Sequence, residues 1–470
     1  MNANLWGNDG ALQNEMRENQ NGPWLISPEP FWISQDTLDF FEILGDRLLA
    51  FYRAANKLYF ESVRGREPDW VHEYLELGKP ELVIDYGRMS RFRNDLPLII
   101  RPDIFLTEDG AIATELDSVP GGFGILDALS RCYEKLGFSL PGGGDGITRE
   151  FAQAMRGLVP QIESPVLVIV VSRESSSYWN EMVWFAKSLR DAGFEAFAAR
   201  PEEIGFTEEG LFLGHGSSNQ VKIDIIYRFF ELFDLKNIPK IDLLLYAVRK
   251  QKVVITPPIK SYLEEKLLFA LLHHLTLAGF WRKELGEETY SMLKGLFPET
   301  WILDPRPVPP HAVIPGLEVG GLPVTDFRQL VRCTQREREL VIKPSGFSEL
   351  AWGSHGVKVG HDLSSKEWNE SLEIALGHFY KTPHVLQRFH KARKVAAQFY
   401  DLKNDQVTTM AGRARLCPYY FVSGDKARLG GVLATICPPD KKLIHGMIDA
   451  IMAPAAAKRP KPCRIARPQN

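Results

Sequence analysis

The stretch that most constrains the fold of this chain runs from Arg101 to Asp117 and reads RPDIFLTEDGAIATELD. Its Glu-Asp-Gly segment at 108–110 predicts a three-residue hairpin loop, in which glycine supplies the left-handed backbone. Because side chains alternate along a strand, the two strands then present one charged face and one apolar face. The charged face carries Arg101, Asp103, Glu115 and Asp117, and the apolar face carries Ile104, Leu106, Ile112 and Leu116.

The charged face of this hairpin is costly to form without a partner. Three carboxylates and one guanidinium crowd one side of two strands, and a bound cation would neutralise the excess acid. Carboxylate oxygens are ligands that Mg²⁺ prefers, so Asp103, Glu115 and Asp117 are candidate metal ligands. Two alternatives stay open. Spacing alone favours a solvated acidic hairpin, and a two-residue Asp-Gly loop would move Asp103 to the opposite face and break the cluster.

Composition excludes several classes of protein. The chain has 470 residues, with 44% hydrophobic and 24% charged side chains, and this ordinary globular composition suggests two to four structural units. A net charge of −3 gives no reason to expect a nucleic-acid partner. The five cysteines are scattered without CxxC spacing, which argues against a disulfide framework or a zinc site.

The sequence gives no signal for secretion or for a membrane location. The N-terminus is polar and lacks the basic start and apolar run of a signal peptide. The most apolar stretches, such as Val166–Val171, are too short to span a bilayer. We therefore expect a cytoplasmic protein without a membrane partner.

A β-α-β pattern begins after a glycine-rich linker at 141–146. The continuous apolar run at 165–171 is typical of a buried parallel strand. A helix from about Trp179 to Ala192 and a second strand at 194–198 follow. This unit predicts a nucleotide-fold-like layer. It has no G-x-G-x-x-G after its first strand, so we do not expect an NAD site.

A lysine in the middle of the chain has two possible roles. Pro257 and Pro258 make a rigid corner, and a helix is predicted from about Ser261 to Leu277 with Lys266 inside it. The other residues of that helix are largely apolar. Lys266 therefore either snorkels to water, which is the simpler interpretation, or points at a phosphate.

A second lysine, Lys343, lies in a predicted strand at 339–344 and precedes a loop that contains Gly353 and Gly356. A strand, a glycine-containing loop and a returning strand can fold over phosphates through backbone N–H groups. The segment is not a P-loop, because the lysine precedes the glycines.

Together these pieces resemble the synthetase part of glutathionylspermidine synthase and the wider circularly permuted ATP-grasp group. Each motif is weak alone, and their shared order over roughly residues 80–440 carries the resemblance. The features in that order are the Arg-x-Asp…Glu-x-Asp hairpin, the 223–228 segment of the β-α-β layer, the Pro-Pro corner before Glu265-Lys266-Leu267, the 341–344 strand with its glycine loop, and the Gln387 strand followed by a strand on which Arg413 and Arg415 share one face.

The resemblance implies a fold and a division of the chain. The fold would be α/β (α+β) and ATP-grasp-like, circularly permuted, with a preATP-grasp, Rossmann-like β-α-β layer. The implied units are N-terminal helices with the metal-binding hairpin at 1–146, a preATP-grasp-like α/β domain at 147–258, an ATP-grasp nucleotide-binding domain at 259–452 and a basic tail at 453–470.

The resemblance also implies a role for each candidate site residue. Asp103, Glu115 and Asp117 would hold Mg²⁺, and Arg101 would face the transferring phosphoryl and acyl groups. The family usually has Asn where this chain has Asp117, which adds a negative charge. The residues that would contact ATP are Lys266 and Lys343 on its phosphates, Gly353 and Gly356 in the loop over them, Gln387 near the adenine, and Arg413 or Arg415 near the γ-phosphate.

The implied function is that of an ATP-dependent ligase, which joins a carboxylate to an amine through an acyl phosphate. Its cofactors would be ATP and Mg²⁺, and its partners would be small-molecule carboxylate and amine substrates. The alternative is a non-catalytic ATP-binding or scaffold protein with a decayed ligase fold. The glycine-poor loop at 345–356 favours that alternative, whereas the retention of three carboxylates and two lysines disfavours it.

Overall fold

The computed structural model describes residues 24–117, 119–214, 220–351, 356–441, 444 and 449–458. Gly353, one of the predicted loop glycines, lies outside these ranges, and so does the basic segment after Lys458. Within the described ranges, every helix is too short or too polar to cross a membrane.

Helices and strands are distributed along the whole of the described chain. The α-helices in these ranges are α1 (Gln35–Val63), α2 (Trp70–Glu76), α3 (Glu81–Arg88), α4 (Phe123–Lys135), α5 (Gly146–Leu158), α6 (Trp179–Asp191), α7 (Ile241–Arg249), α8 (Leu267–His273), α9 (Ala278–Leu285), α10 (Glu287–Leu296) and α11 (Ser365–Gly377). The strands are β1 (Leu25–Ile26), β2 (Phe31–Ile33), β3 (Ile99–Leu106), β4 (Ala111–Asp117), β5 (Leu167–Val171), β6 (Ala196–Ala199), β7 (Ile204–Thr207), β8 (Gly210–Leu213), β9 (Val221–Lys222), β10 (Ile225–Phe229), β11 (Val254–Thr256), β12 (Thr300–Ile302), β13 (Glu318–Val319), β14 (Leu322–Pro323), β15 (Leu340–Pro344), β16 (Lys358–Val359), β17 (His384–Arg388), β18 (Lys394–Asp401), β19 (Gln406–Ser423), β20 (Lys426–Cys437) and β21 (Ile451–Ala457).

One mixed sheet brings early and late parts of the chain together. Its order is β1-β21-β20-β19-β3-β4, with β18 pairing onto β19 and β2 onto β21. The early hairpin β3–β4 therefore lies beside the late strand β19, where Leu416 pairs with Ile104. Strand β21 is almost entirely buried and extends across the predicted boundary between residues 452 and 453.

Helix α1 packs against this sheet. Ser34 caps its first turn, because the Ser34 Oγ accepts from the Thr37 N–H at 3.1 Å. Gly45 lets the helix approach the sheet closely, since an added Cβ would lie 2.5 Å from the carbonyl oxygen of Ala427. The fully buried positions that recur at helical spacing are Phe41, Leu44, Leu48 and Phe51.

The hairpin β3–β4 forms with the predicted pairing at its charged end. Arg101 pairs with Asp117, and Asp103 pairs with Glu115. Directly paired residues point to the same side of a sheet, so the four charged side chains share one face. The predicted charged face is confirmed, and the two-residue loop that would have moved Asp103 to the other side is excluded.

The loop of the hairpin differs from the prediction. Leu106 pairs with Ala111, so four residues rather than three form the loop. Thr114 is an extra residue that forms a bulge in β4, and beyond this bulge Asp103 pairs with Glu115 as predicted. As a consequence Ile112 pairs with Phe105 and points to the charged side of the hairpin, so its predicted place on the apolar face is wrong.

The predicted β-α-β unit is a parallel sheet with the order β11-β10-β5-β6. Strand β5 is fully buried, which accounts for its unbroken apolar sequence. Its side chains alternate between two cores, with Leu167, Ile169 and Val171 in one and Val168 and Val170 in the other.

An antiparallel sheet with the order β12-β17-β15-β16 carries two of the candidate site residues. Lys343 on β15 pairs with Val385, and Gln387 on β17 pairs with Val341. Lys343 and Gln387 are therefore diagonal neighbours on one face. The residues between them in β15 and β17 face the opposite way and pack with Trp368 of α11.

The helix predicted from 261 to 277 is divided into shorter pieces. Ser261–Leu263 is a 3-10 turn, and α8 begins at Leu267. Lys266 is thus the residue that precedes the helix, not a residue inside it, and its side chain is directed toward the hairpin.

Replacing Gly45 with alanine tests how closely α1 packs on the large sheet. The added methyl group would meet the carbonyl of Ala427 at 2.5 Å and the ring of Tyr420 at 2.6 Å. We expect the free energy of unfolding to fall by about 1–3 kcal/mol because of this overpacking.

The matched control is Gly157→Ala in α5, where the new Cβ would have no heavy atom within 4 Å. In that open position alanine should stabilise the helix by about 0.5–1 kcal/mol. Urea unfolding measures both variants, and equal effects at the two positions would contradict the close packing of α1.

Candidate functional site

Arg101 is the centre of the charged face of the hairpin. Its Nε donates to Asp103 Oδ1 at 3.0 Å, and its Nη2 lies 2.8 Å from Asp117 Oδ2. Its Nη1 donates to the carbonyl of Gly121 at 3.0 Å. Acceptors from three chain positions therefore fix the plane of the guanidinium, and only 13% of the side chain is exposed.

Asp103 is shared by two arginines. Arg415 on β19 donates from Nη1 to Asp103 Oδ2 at 2.8 Å, and the thiol of Cys417 lies 3.4 Å from Oδ1. Burial alone would raise the pKa of this carboxyl, but the charges of Arg101 and Arg415 outweigh burial and lower the pKa. Asp103 is thus an ionised anchor between the hairpin and β19.

The two late arginines, one of which was predicted to lie near the γ-phosphate, have different partners in the protein. Arg415 contacts the hairpin through Asp103. Arg413 lies two residues earlier on the same face of β19, and its Nη1 donates to the carbonyl of Pro439. Arg415 is therefore the arginine that belongs to the charged cluster.

Asp117 lies in an excess of negative charge. Burial raises its pKa, Arg101 opposes that effect, and the charges of Glu115 and Asp103 add to it. The net result is a pKa above the usual value for an aspartate. Additional positive charge beside Asp117 would therefore be stabilising.

The hairpin carboxylates fit a hard cation by their chemistry, without forming a complete ligand set. Among the residues that the structure describes, no three His, Cys, Asp or Glu side chains are grouped to hold a metal ion. Mg²⁺ in nucleotide sites usually takes one or two carboxylates and completes its shell with phosphates and water. Glu115 and Asp117 suit that arrangement, because Asp103 is already bound by two arginines.

Lys266 reaches the hairpin from the start of α8. Its Nζ lies 2.7 Å from Glu115 Oε1 and donates to the carbonyl of Ala351 at 2.9 Å. Burial works against its charge, but Glu115 outweighs burial and the pKa is raised. The side chain is only 13% exposed, so the interpretation that Lys266 snorkels to water is wrong.

Lys343 approaches the same hairpin from β15. Its Nζ donates to Gln387 Oε1 at 2.7 Å and to the carbonyl of Thr114, the bulge residue, at 3.2 Å. Burial lowers the pKa of Lys343 to about 8, although the charge of Glu115 opposes the shift. Gln387 in turn donates from Nε2 to Thr300 Oγ1 at 3.3 Å. Both predicted lysines therefore meet the acidic hairpin.

The loop after Lys343 is held closely where the structure describes it. Gly356 donates its N–H to the carbonyl of Leu350 at 3.0 Å. An added Cβ on Gly356 would lie 2.6 Å from the ring of Pro344. This glycine thus serves close packing against the end of β15, and its contact with a phosphate stays a prediction, as does that of Gly353.

The role of Glu265 was not predicted from the sequence. Its side chain is 1% exposed and lies 2.5 Å from the ammonium of Lys79, which is equally buried. It also accepts from the Ser345 hydroxyl and from the Gly346 N–H. Glu265 therefore ties the start of α8 to the root of the loop that follows β15. Two adjacent acidic residues, Glu264 and Glu265, between apolar residues were the only available signal.

Further charges beside the hairpin were also missed. Arg228, fully buried in β10, donates to Glu264 and to the carbonyls of Pro257 and Phe230. Glu231 follows β10, and burial together with the charge of Glu264 raises its pKa to about 8. The 223–228 segment was recognised as a motif, but the partners of Arg228 come from later segments and carry no local pattern.

Comparison with known proteins identifies the fold. No family model and no curated protein matches the sequence. Among solved structures, a glutathione synthetase-like effector (GSS30) from Globodera pallida in its apo form is similar with a TM-score of 0.56 and 10% identity, over 92% of this chain and 90% of the other. A putative gamma-glutamylcysteine synthetase from Methylobacillus flagellatus KT has a TM-score of 0.43 and 12% identity, over 81% and 84%.

The chain has a mixed α/β, glutathione synthetase-like fold. This finding is consistent with the expected ATP-grasp-like architecture. The finer resemblance to glutathionylspermidine synthase and the circular permutation stay predictions.

Replacing Glu265 with leucine tests its role in holding the site together. The variant would leave the buried ammonium of Lys79 without its counter-charge. Removing one partner of a buried ion pair typically costs about 3–5 kcal/mol, and we expect a loss of that size in the free energy of unfolding.

The double variant Lys79→Met/Glu265→Leu is the control for this substitution. It removes both charges, so most of the lost stability should return. Urea unfolding compares the two, and a double variant no more stable than Glu265→Leu would show that the ion pair is not the cause.

Proposed function

We propose that this protein is an ATP-dependent carboxylate–amine ligase of the ATP-grasp type, which forms an amide bond through an acyl phosphate and depends on Mg²⁺. One observation carries the proposal. Lys266 and Lys343 come from separate elements and both contact the hairpin that presents Asp103, Glu115 and Asp117. The glutathione synthetase-like fold supports the same reading.

The order of the elements supports a circularly permuted arrangement. The hairpin β3–β4 comes early in the chain, yet it pairs with β19 near the other end. This is the topology expected if part of the C-terminal half of an ATP-grasp core had been moved to the front of the chain.

The two lysines suit the phosphates of ATP. A lysine acts on a phosphate as a compact point charge. Lys266 has a raised pKa and is charged at neutral pH, whereas the lowered pKa of Lys343 would rise again beside a bound anion. A bound triphosphate would give both side chains an anionic partner, and for Lys343 it would offset the effect of burial on the charge.

The carboxylates of Glu115 and Asp117 would hold Mg²⁺ together with the phosphates, while Asp103, which was also predicted as a ligand, keeps its two arginines. Bound Mg²⁺ would neutralise phosphate oxygens and polarise the transferring phosphoryl group. Its charge would also offset the excess acid that raises the pKa of Asp117.

The reaction has two steps, and the arginines would serve both. A carboxylate oxygen of the acid substrate attacks the γ-phosphorus and ADP leaves. The amine nitrogen then attacks the acyl carbon, phosphate leaves, and the nitrogen loses a proton. Arg101, fixed in one plane by three acceptors, would orient the planar carboxylate, and Arg415 would add a second positive charge.

Removing either lysine charge should stop turnover. We expect Lys266→Met and Lys343→Met to reduce Mg-dependent ADP release by about 100-fold or more, because a preorganised charge on the transferring phosphates is lost. The assay uses pools of carboxylates and amines, and mass spectrometry identifies the product.

The matched control is Lys366→Met in α11, whose side chain is 86% exposed. It should keep full activity, and circular dichroism should show that all three variants are folded. Full activity in both Lys266→Met and Lys343→Met would remove the phosphate assignment.

The lowered pKa of Lys343 predicts that nucleotide binding depends on pH. The side chain is charged below its pKa of about 8 and loses its charge as the pH rises through that value. We therefore expect the affinity for ATP to fall between about pH 7 and pH 9. Lys343→Arg stays charged over this range and should show a flatter profile in calorimetric titrations. Identical profiles for the two proteins would contradict a role for Lys343.

A second candidate is a non-catalytic nucleotide-binding or scaffold protein with a decayed ligase fold. The observation that favours it is that each hairpin carboxylate is already paired with a protein cation. Thermal stabilisation by ATP without release of ADP or phosphate, over the same pools of substrates, would support this candidate. Release of ADP would exclude it.

A further inference from the structure

Glu181 joins the parallel sheet unit to the turn that follows the charged hairpin. It lies on α6 and is 6% exposed. Its Oε1 accepts from the Gly122 N–H at 2.8 Å and from the Gly124 N–H at 2.9 Å, at the start of α4. A helix start that could have held an external anion therefore holds a carboxylate of the chain itself.

The turn that Glu181 holds also supplies a contact of Arg101. The carbonyl of Gly121 accepts from Arg101 Nη1 at 3.0 Å and from the Tyr419 hydroxyl at 2.6 Å. Gly122 has a left-handed φ of 89°, and an added Cβ on Gly121 would overlap the ring of Tyr178. The turn thus has little freedom, and its position fixes where the Gly121 carbonyl points.

We infer that Glu181 is a positioning residue for Arg101: by holding the Gly121–Gly124 turn, it fixes the third contact of the guanidinium and so its plane. That this plane matters for catalysis rests on the proposed function. The positioning itself rests only on the two hydrogen bonds of Glu181 and the one from Arg101 to Gly121.

The charge state of Glu181 gives this arrangement a measurable signature. Burial raises the pKa of Glu181 to about 7, although the N–H groups of the turn oppose the shift. An ionised carboxylate accepts hydrogen bonds more strongly than a protonated one, so the turn is held more firmly above about pH 7. The charged or titratable groups that face Glu181 are Arg101 on β3, Tyr178 before α6, Tyr227 on β10 and Tyr419 on β19.

The three tyrosines do not titrate in the range of interest. Burial raises the pKa of Tyr178, Tyr227 and Tyr419 above the usual value for tyrosine. Their hydroxyls are therefore neutral throughout the neutral range. Asp117 contacts Arg101 directly and also has a raised pKa, so the part of a change at Arg101 near pH 7 that is lost in Glu181→Gln is the part that reports on Glu181.

The test uses the full chain without nucleotide or substrate, so it does not depend on the proposed function. Arginine side chains are labelled with ¹⁵N, and the Nε resonance of Arg101 is assigned by its loss in Arg101→Lys. In the unsubstituted protein we expect this resonance to shift with a midpoint near pH 7. In Glu181→Gln the shift should disappear, because glutamine cannot ionise.

Glu134→Gln is the matched control. Glu134 also accepts from a glycine N–H, that of Gly144 at 3.0 Å, so its loss removes a similar hydrogen bond elsewhere. The Arg101 resonance of this variant should titrate as in the unsubstituted protein. If Glu181→Gln does not fold, Glu181→Asp replaces it; the shorter side chain should displace the Arg101 resonance at pH 8 while Glu134→Asp leaves it in place.

An Arg101 resonance that behaves identically with and without Glu181 would overturn the inference. If the ligase activity is found, a second readout becomes available: Glu181→Gln should lower kcat by up to about 100-fold with little change in KM for ATP, because it misplaces an orienting group. Equal kcat values would then also overturn it, whereas an absent activity would leave the resonance test intact.

Discussion

The ion pairs of Asp103 are the interactions on which the rest of the site depends. This carboxylate lies between Arg101 on its own strand and Arg415 on β19. Removing such charges from water costs several kcal/mol per ion, and the cost is offset only when the geometry satisfies both partners. The pair of Asp103 with Arg415 therefore joins the hairpin to β19. The remaining charges of the hairpin, Glu115 and Asp117, take their positions from that alignment.

The second constraint is that three units of the fold meet at one hairpin. The hairpin belongs to the large sheet, Lys266 stands at the start of α8, and Lys343 belongs to a separate antiparallel sheet. Glu181, from the parallel layer, contacts the turn that follows the hairpin. The charged cluster thus exists only when all of these units are folded and packed together. This explains why each motif is weak in the sequence, and why their common order carried more information than any one of them.

A feature of this protein could be predicted from the sequence when its signal lies within one short segment. The charged face of the hairpin was predictable because alternation along a strand has a period of two. The bulge at Thr114 was not predictable from this alternation. The loop is one residue longer than predicted, and the bulge compensates for that difference. Asp103 therefore pairs with Glu115 as predicted, although the path of the chain between them differs. Lys266 was placed inside a helix because apolar residues stand on both sides of the break at 264–266. Glu181 and Glu265 leave no pattern, since their partners lie in distant segments.

The most direct test of a nucleotide site at this hairpin is a crystal structure of the protein with Mg²⁺ and a non-hydrolysable ATP analogue. We expect the triphosphate to lie between Lys266 and Lys343, with the metal bound by Glu115 or Asp117 and Arg101 still in the plane set by Gly121. A nucleotide bound elsewhere, with Lys266 still on Glu115 and Lys343 still on Gln387, would contradict the assignment of these residues to ATP.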